Sequence, residues 1–145
     1  MSILSKERIS LQASAADKAE SIRKAGELLV TTGCVLPEYI EGMLARERSM
    51  STSLGNGVAI PHGVYENRGH IRQTGISVLQ LVDGVDWDEG DKVYLVIGIA
   101  ASADEHVGVL SNLADVIDNE DALIELLKTS DPEVILKYLG EKQPS

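Results

Sequence analysis

Regular patterning begins near residue 15, where the apolar or small positions Ala16, Ala19, Ile22, Ala25, Gly26 and Leu29 recur at helical spacing. That spacing predicts an amphipathic helix over 15–31, with Gly33 as its stop signal. Pro37 suits a first helical turn, and Tyr39, Ile40, Met43 and Leu44 give a second helix, 37–48, its inward face. The period then shortens. Residues 57–60, 75–81 and 93–100 are short runs rich in branched side chains and read as strands. The last is apolar almost throughout, as a central strand covered on both faces should be. Helical spacing returns over 105–117, 121–128 and 132–139, and 143–145 reads as a frayed end. The expected fold class is α/β, a single domain over 1–145 in which a mixed β-sheet carries helices packed on it.

Composition narrows the function classes more than it changes the fold. With no Phe, one Trp and four Tyr, the core must be built from Leu, Ile, Val and Ala. Cys34 is the only cysteine, so an internal disulfide is excluded and a reducing compartment is expected. Its apolar surroundings read as those of a small buried side chain. The net charge of −10 argues against nucleic acid as a partner, because an acidic chain gains nothing from counterion release. No run approaches the roughly eighteen apolar residues of a membrane span, and the start lacks a signal-peptide pattern. A soluble cytoplasmic protein is expected.

Candidate chemistry centres on three histidines, the residues that change charge near neutral pH. His70 falls in the polar stretch Glu66-Asn67-Arg68-Gly69-His70 and reads as a solvated loop residue. His62 follows a short strand in Val58-Ala59-Ile60-Pro61-His62-Gly63. Pro61 fixes the backbone before it, and Gly63 permits a sharp turn and leaves space over the ring. On local physics a nucleophile and a plain strand-capping histidine are equally good readings. His106 falls in the first turn of the helix after the most apolar strand, where backbone N–H groups favour negative charge. Taken singly, it reads as an exposed first-turn residue.

Together, the two sit near one sheet edge, where ligand sites form in open α/β sheets. A metal needs further ligands, and no His-x-x-x-His or Cys/His cluster supplies them. There is no nucleophile elbow and no Gly-x-x-x-x-Gly-Lys-Ser/Thr nucleotide loop. What remains is an imidazole nucleophile acting on a phosphoryl group activated elsewhere.

The segment 47–63, with Leu54-Gly55 and Val58-Ala59-Ile60-Pro61-His62-Gly63, resembles the phosphorylation-site motif of a known family. These are the IIA domains of the mannitol/fructose class of the phosphoenolpyruvate-dependent sugar phosphotransferase system. The likeness continues through Pro37 to Glu47, Leu95 to Ala101 and Glu105-His106, and is greatest to mannitol-type domains. It implies a phosphotransferase component in which His62 takes a phosphoryl group from the phosphocarrier protein HPr and passes it to a IIB domain of a membrane permease. His106 matches the second active-site histidine and Arg46 an active-site arginine. The latter position is equally well explained by a cation at a helix C-terminus. Asn56 stands where some mannitol-type domains carry an acid, so it is a polar neighbour with no acid/base role. The resemblance implies no metal and no cofactor. Mannitol is the expected sugar, with fructose, or a regulatory role read by a protein target, as the alternatives.

Overall fold

The computed structural model describes residues 3–88 and 90–140, so the end read as frayed, 143–145, lies outside the described residues. Strand β1 is Ile9–Ala13, followed by helices α1, Lys18–Thr31, and α2, Glu38–Ser49. The short strand β2, Val58–Ala59, precedes the hairpin of β3, Gly75–Asp88, and β4, Asp91–Ala100. Helices α3, Ala103–Ile117, α4, Glu120–Lys128, and α5, Pro132–Ile135, follow. The strands form one mixed sheet in the order β1-β3-β4-β2. Strand β3 is antiparallel to β4, and the edge strands β1 and β2 run parallel to β3 and β4 respectively.

Alternation along the central hairpin explains the three layers. Leu79 and Leu81 of β3 and Val96 of β4 pack with Ile22, Ala25 and Leu29 of α1 and Met43 of α2. Ile76 and Val78, with Leu95, Ile97 and Ile99, face the other way, onto Val109 and Leu113 of α3, Leu126 of α4 and Ile135 of α5. Both faces are buried, so the strands read as continuous apolar runs. Each fully buried leucine or isoleucine contributes about 2 kcal/mol over an exposed one. The mixed α/β sheet with helices on it is as the sequence predicts, and Cys34 is fully buried.

Four details differ from expectation. Strand β1 lies outside the three strands that the sequence predicts. It is only half-buried and is interrupted at Gln12, whose φ of 54° breaks the pairing with β3. The amide of Gln12 donates instead to the Gln80 side chain at 3.0 Å. Strand β3 runs to Asp88, past the turn-like Asp83-Gly84, because an irregularity between Gln80 and Val85 absorbs the turn without ending the ladder. The last helix keeps α geometry only to Ile135 and widens to a π turn over Leu136–Gly140. His70 is half-buried and not solvated as expected; its Nδ1 is enclosed without a hydrogen-bond partner, and its carbonyl accepts the Leu36 amide at 2.8 Å.

Candidate active site

The site lies where β2 and β4, running parallel, end together. After Ala59 the chain stays beside β4: the Ile99 amide donates to the Pro61 carbonyl at 3.0 Å, and His62 bridges to Ile99. The preceding loop folds back on β2, with the Leu54 amide on the Val58 carbonyl at 2.8 Å and the Ile60 amide on the Thr52 carbonyl at 3.1 Å. Asn56 is exposed at the tip of this turn, between Gly55 and Gly57, both with φ of 88°. Such left-handed geometry favours glycine.

Gly63 serves a different purpose from the one its sequence suggests. Its backbone is not left-handed, but a Cβ there would come within 2.8 Å of the Tyr39 ring and 2.9 Å of the Asn67 amide oxygen. The glycine admits Tyr39, whose hydroxyl donates to the Ile99 carbonyl at 2.7 Å and accepts the Gly63 amide at 2.9 Å. A buried phenol thus ties the residue after His62 to the end of β4. Nothing in the sequence marks Tyr39 as a site residue, because its place on the inward face of a helix reads as core.

The His62 ring is oriented by the segment that leads into it from β2. Its Nδ1 lies 2.7 Å from the Ile60 carbonyl oxygen. A carbonyl only accepts, so Nδ1 carries the proton and Nε2 keeps its lone pair. The His106 ring stands across from it, with 5.0 Å between ring centroids and 57° between planes. His106 is held in the first turn of α3, where its amide donates to the Ser102 carbonyl at 2.9 Å. Glu105, next to it, ties that turn down by accepting from Thr74 and Ser102. A cavity of about 290 Å³ adjoins His106, between Tyr39, Gly63, Val64, Arg68 and Val107.

Arg46 sits in the last turn of α2 and donates through Nη1 to the Met50 carbonyl at 2.6 Å, so it does cap its helix. Its charge also acts on both imidazoles. Burial pushes His62 below the ordinary 6.5; the Ile60 carbonyl opposes this, His106 and Arg46 add to it, and Glu47 opposes it. His106 is lowered by burial and then by Arg46. Both rings are therefore neutral at neutral pH. Among the described residues, no group of three His, Cys, Asp or Glu side chains is placed to hold a metal ion.

The structure brings His62, His106 and the Arg46 charge together, and leaves Asn56 at an exposed turn. It defines an α/β domain that presents a neutral, oriented imidazole, its Nε2 unprotonated, at the carboxyl ends of two parallel strands. Residues 2–142 match the family described as the phosphoenolpyruvate-dependent sugar phosphotransferase system, EIIA 2, and the chain belongs to that family. It is 42% identical over 141 residues to the mannitol-specific phosphotransferase enzyme IIA component of Geobacillus stearothermophilus, covering 97% of each chain. It is 47% identical over 131 residues to a multiphosphoryl transfer protein of Escherichia coli O157:H7, covering 89% of this chain and 35% of that protein. The chain thus spans about a third of the length of that curated relative. Among solved structures it matches the mannitol enzyme IIA of Escherichia coli in complex with phosphorylated enzyme IIB, at TM-score 0.88 and 40% identity over 94% of this chain and 96% of that one. Among the described residues no helix is long and apolar enough to cross a membrane.

Proposed function

We propose that this chain acts as a single cytoplasmic phosphocarrier domain, over residues 1–145, in sugar uptake. His62 accepts a phosphoryl group from phospho-HPr and passes it to a IIB domain of a mannitol permease. The observation that carries this reading is the commitment of His62 Nδ1 to the Ile60 carbonyl, 2.7 Å away, beside a second imidazole. Nε2 attacks phosphorus in line; the new N–P bond forms as the bond from phosphorus to its donor atom breaks, and no proton need leave the ring first. The IIB partner is supported by the complex of the Escherichia coli relative, and mannitol by the name of the Geobacillus stearothermophilus relative. HPr is supported by the likeness to multiphosphoryl transfer proteins.

Phosphoryl transfer passes through a loose transition state with charge spread over three oxygens, so positioned donors supply most of the catalysis. His106 contributes a neutral N–H and Arg46 its guanidinium, whose charge already reaches both rings. Lysine lacks the planar fork that lets Arg46 hold the Met50 carbonyl and address phosphoryl oxygens together. Arg46→Lys is therefore expected to slow transfer to IIB measurably. Normal rates in both Arg46→Lys and Arg46→Ala would reduce this residue to a helix cap.

The test of the whole reading is to incubate the protein with phosphoenolpyruvate, enzyme I and HPr and to assay an acid-labile, base-stable phosphate. The charged protein is then offered purified mannitol-type and fructose-type IIB domains. Transfer favouring the mannitol-type domain is expected. Faster transfer to the fructose-type domain overturns the sugar, and charging without transfer to either overturns the transport role. Because attack needs neutral His62, whose affinity for protons is lowered, charging should hold as pH falls through 6.5 and decline only below it. A midpoint above 6.5 would contradict the buried site.

A further inference from the structure

Beside Arg46 lies a carboxylate that the proposed transfer chemistry leaves unused. Glu47 is only 4% exposed, yet it sits in the last turn of α2, where solvent is close at hand. Donors from three separate parts of the chain converge on it. Thr52 donates twice, through its amide at 2.9 Å and its hydroxyl at 2.5 Å. The Trp87 indole of β3 donates at 2.9 Å, and the Lys18 ammonium of α1 lies 3.3 Å away. Lys18 also rests 5.5 Å from the centre of the Trp87 ring. A buried charge is tolerated only when paired and fully hydrogen-bonded, and this one is both.

Thr52 is what links this carboxylate to the chemistry. The residue that Glu47 grips at its amide and hydroxyl receives the Ile60 amide on its carbonyl at 3.1 Å. Ile60 in turn presents the carbonyl that takes His62 Nδ1 at 2.7 Å. We propose that Glu47 is a positioning residue: through Thr52 and Ile60 it holds the carbonyl that fixes His62 as the Nδ1–H tautomer with Nε2 free. The strand before Ile60 is two residues long and lies at the sheet edge; β4 flanks it on one side, and on the other the chain around Thr52–Leu54 folds back on it, the segment that Glu47 holds. Tyr39 clamps the chain on the far side of His62, and Glu47 completes the brace on the near side. That Nε2 is the atom charged rests on the function proposed above; the control of the tautomer does not.

Three variants of the full chain separate positioning from mere stabilisation. The measurements are the imidazole nitrogen shifts of His62, which report the tautomer, the kcat and KM for charging by phospho-HPr, and the denaturation midpoint. Glu47→Ala frees Thr52 and should mix the two His62 tautomers. It should lower kcat about a hundredfold, the scale of a small misplacement of a reacting group, with KM nearly unchanged. Glu47→Gln keeps an oxygen for the Thr52 amide and should retain the Nδ1–H tautomer and most of kcat. Trp87→Phe removes a different bond to the same carboxylate, so it should cost stability and leave the tautomer intact.

A folded Glu47→Ala protein with the native tautomer and kcat would overturn the proposal. So would a Trp87→Phe protein as mixed in tautomer as Glu47→Ala, because general loosening would then explain both. Should Glu47→Ala not fold, Thr52→Val removes only the hydroxyl arm and should shift part of the population to the other tautomer; no shift overturns the proposal. If the unaltered protein takes no phosphoryl group while Glu47→Ala still mixes the tautomers, the proposed function fails and the brace stands.

Discussion

Replacing His62 with alanine should abolish charging by phospho-HPr altogether and leave the fold standing. The ring is half-buried and, among the described residues, makes one hydrogen bond, to the Ile60 carbonyl. A single such bond is worth about 1 kcal/mol net, within the range a domain of this size tolerates. Catalysis has no such reserve. His106 stands across from His62, but it is held in the first turn of α3 and not by the Ile60 carbonyl that sets the His62 tautomer. The measurement is the acid-labile phosphate bound per chain after exhaustive incubation with phosphoenolpyruvate, enzyme I and HPr, beside a denaturation curve. Label remaining in His62→Ala, or peptide mapping that places it on His106 or His70 in the unaltered protein, would contradict the assignment.

What the sequence disclosed about the fold followed how strongly each element is buried. The central strand β4 and the long helix α1 were legible because burial imposes apolar runs or helical spacing on them. Strand β1 was not, since an edge strand of five residues with one flank exposed needs few apolar positions. Its interruption at Gln12 is mended by a side chain of β3, a contact between residues 68 apart in sequence. The extension of β3 past Asp83-Gly84 was hidden for a related reason. Turn residues end a strand only where the partner strand does not continue, and β4 continues.

At the site, the two histidines were legible singly from their positions, one at a strand end and one at a helix start. Their positions also place both near one sheet edge; the 5.0 Å approach itself depends on β2 lying beside β4, which local spacing does not specify. The residues that orient His62 were the hidden part. Tyr39 resembles core and Glu47 resembles a solvated helix-end charge until the structure places a backbone amide against each. A glutamate followed five residues later by threonine carries no signal of its own. Only the return of the chain from Thr52 to Ile60 makes it matter.

Replacing His106 with alanine should have the second largest effect, and it should be visible as a rate more than as an extent. The residue is half-buried in the first turn of α3, its amide fixed on Ser102 and the turn tied by Glu105 to Thr74, so its ring is preorganised opposite His62. Burial and the Arg46 charge push its affinity for protons below the ordinary imidazole range, which leaves a neutral ring with one N–H to donate. In a loose transition state the phosphoryl oxygens carry the charge, and a fixed donor beside them costs no reorganisation when the charge develops. Removing one such donor typically raises the barrier by roughly 3 kcal/mol, about a hundredfold in rate. Charging is driven by phosphoenolpyruvate, so given time His62 should still fill. Onward transfer to IIB has no such drive and should show the loss in full. Rapid-quench measurement of phosphoryl transfer from precharged His106→Ala to a IIB domain reads this directly. A rate equal to that of the unaltered protein would leave His106 as a first-turn residue that stands near His62 without serving it.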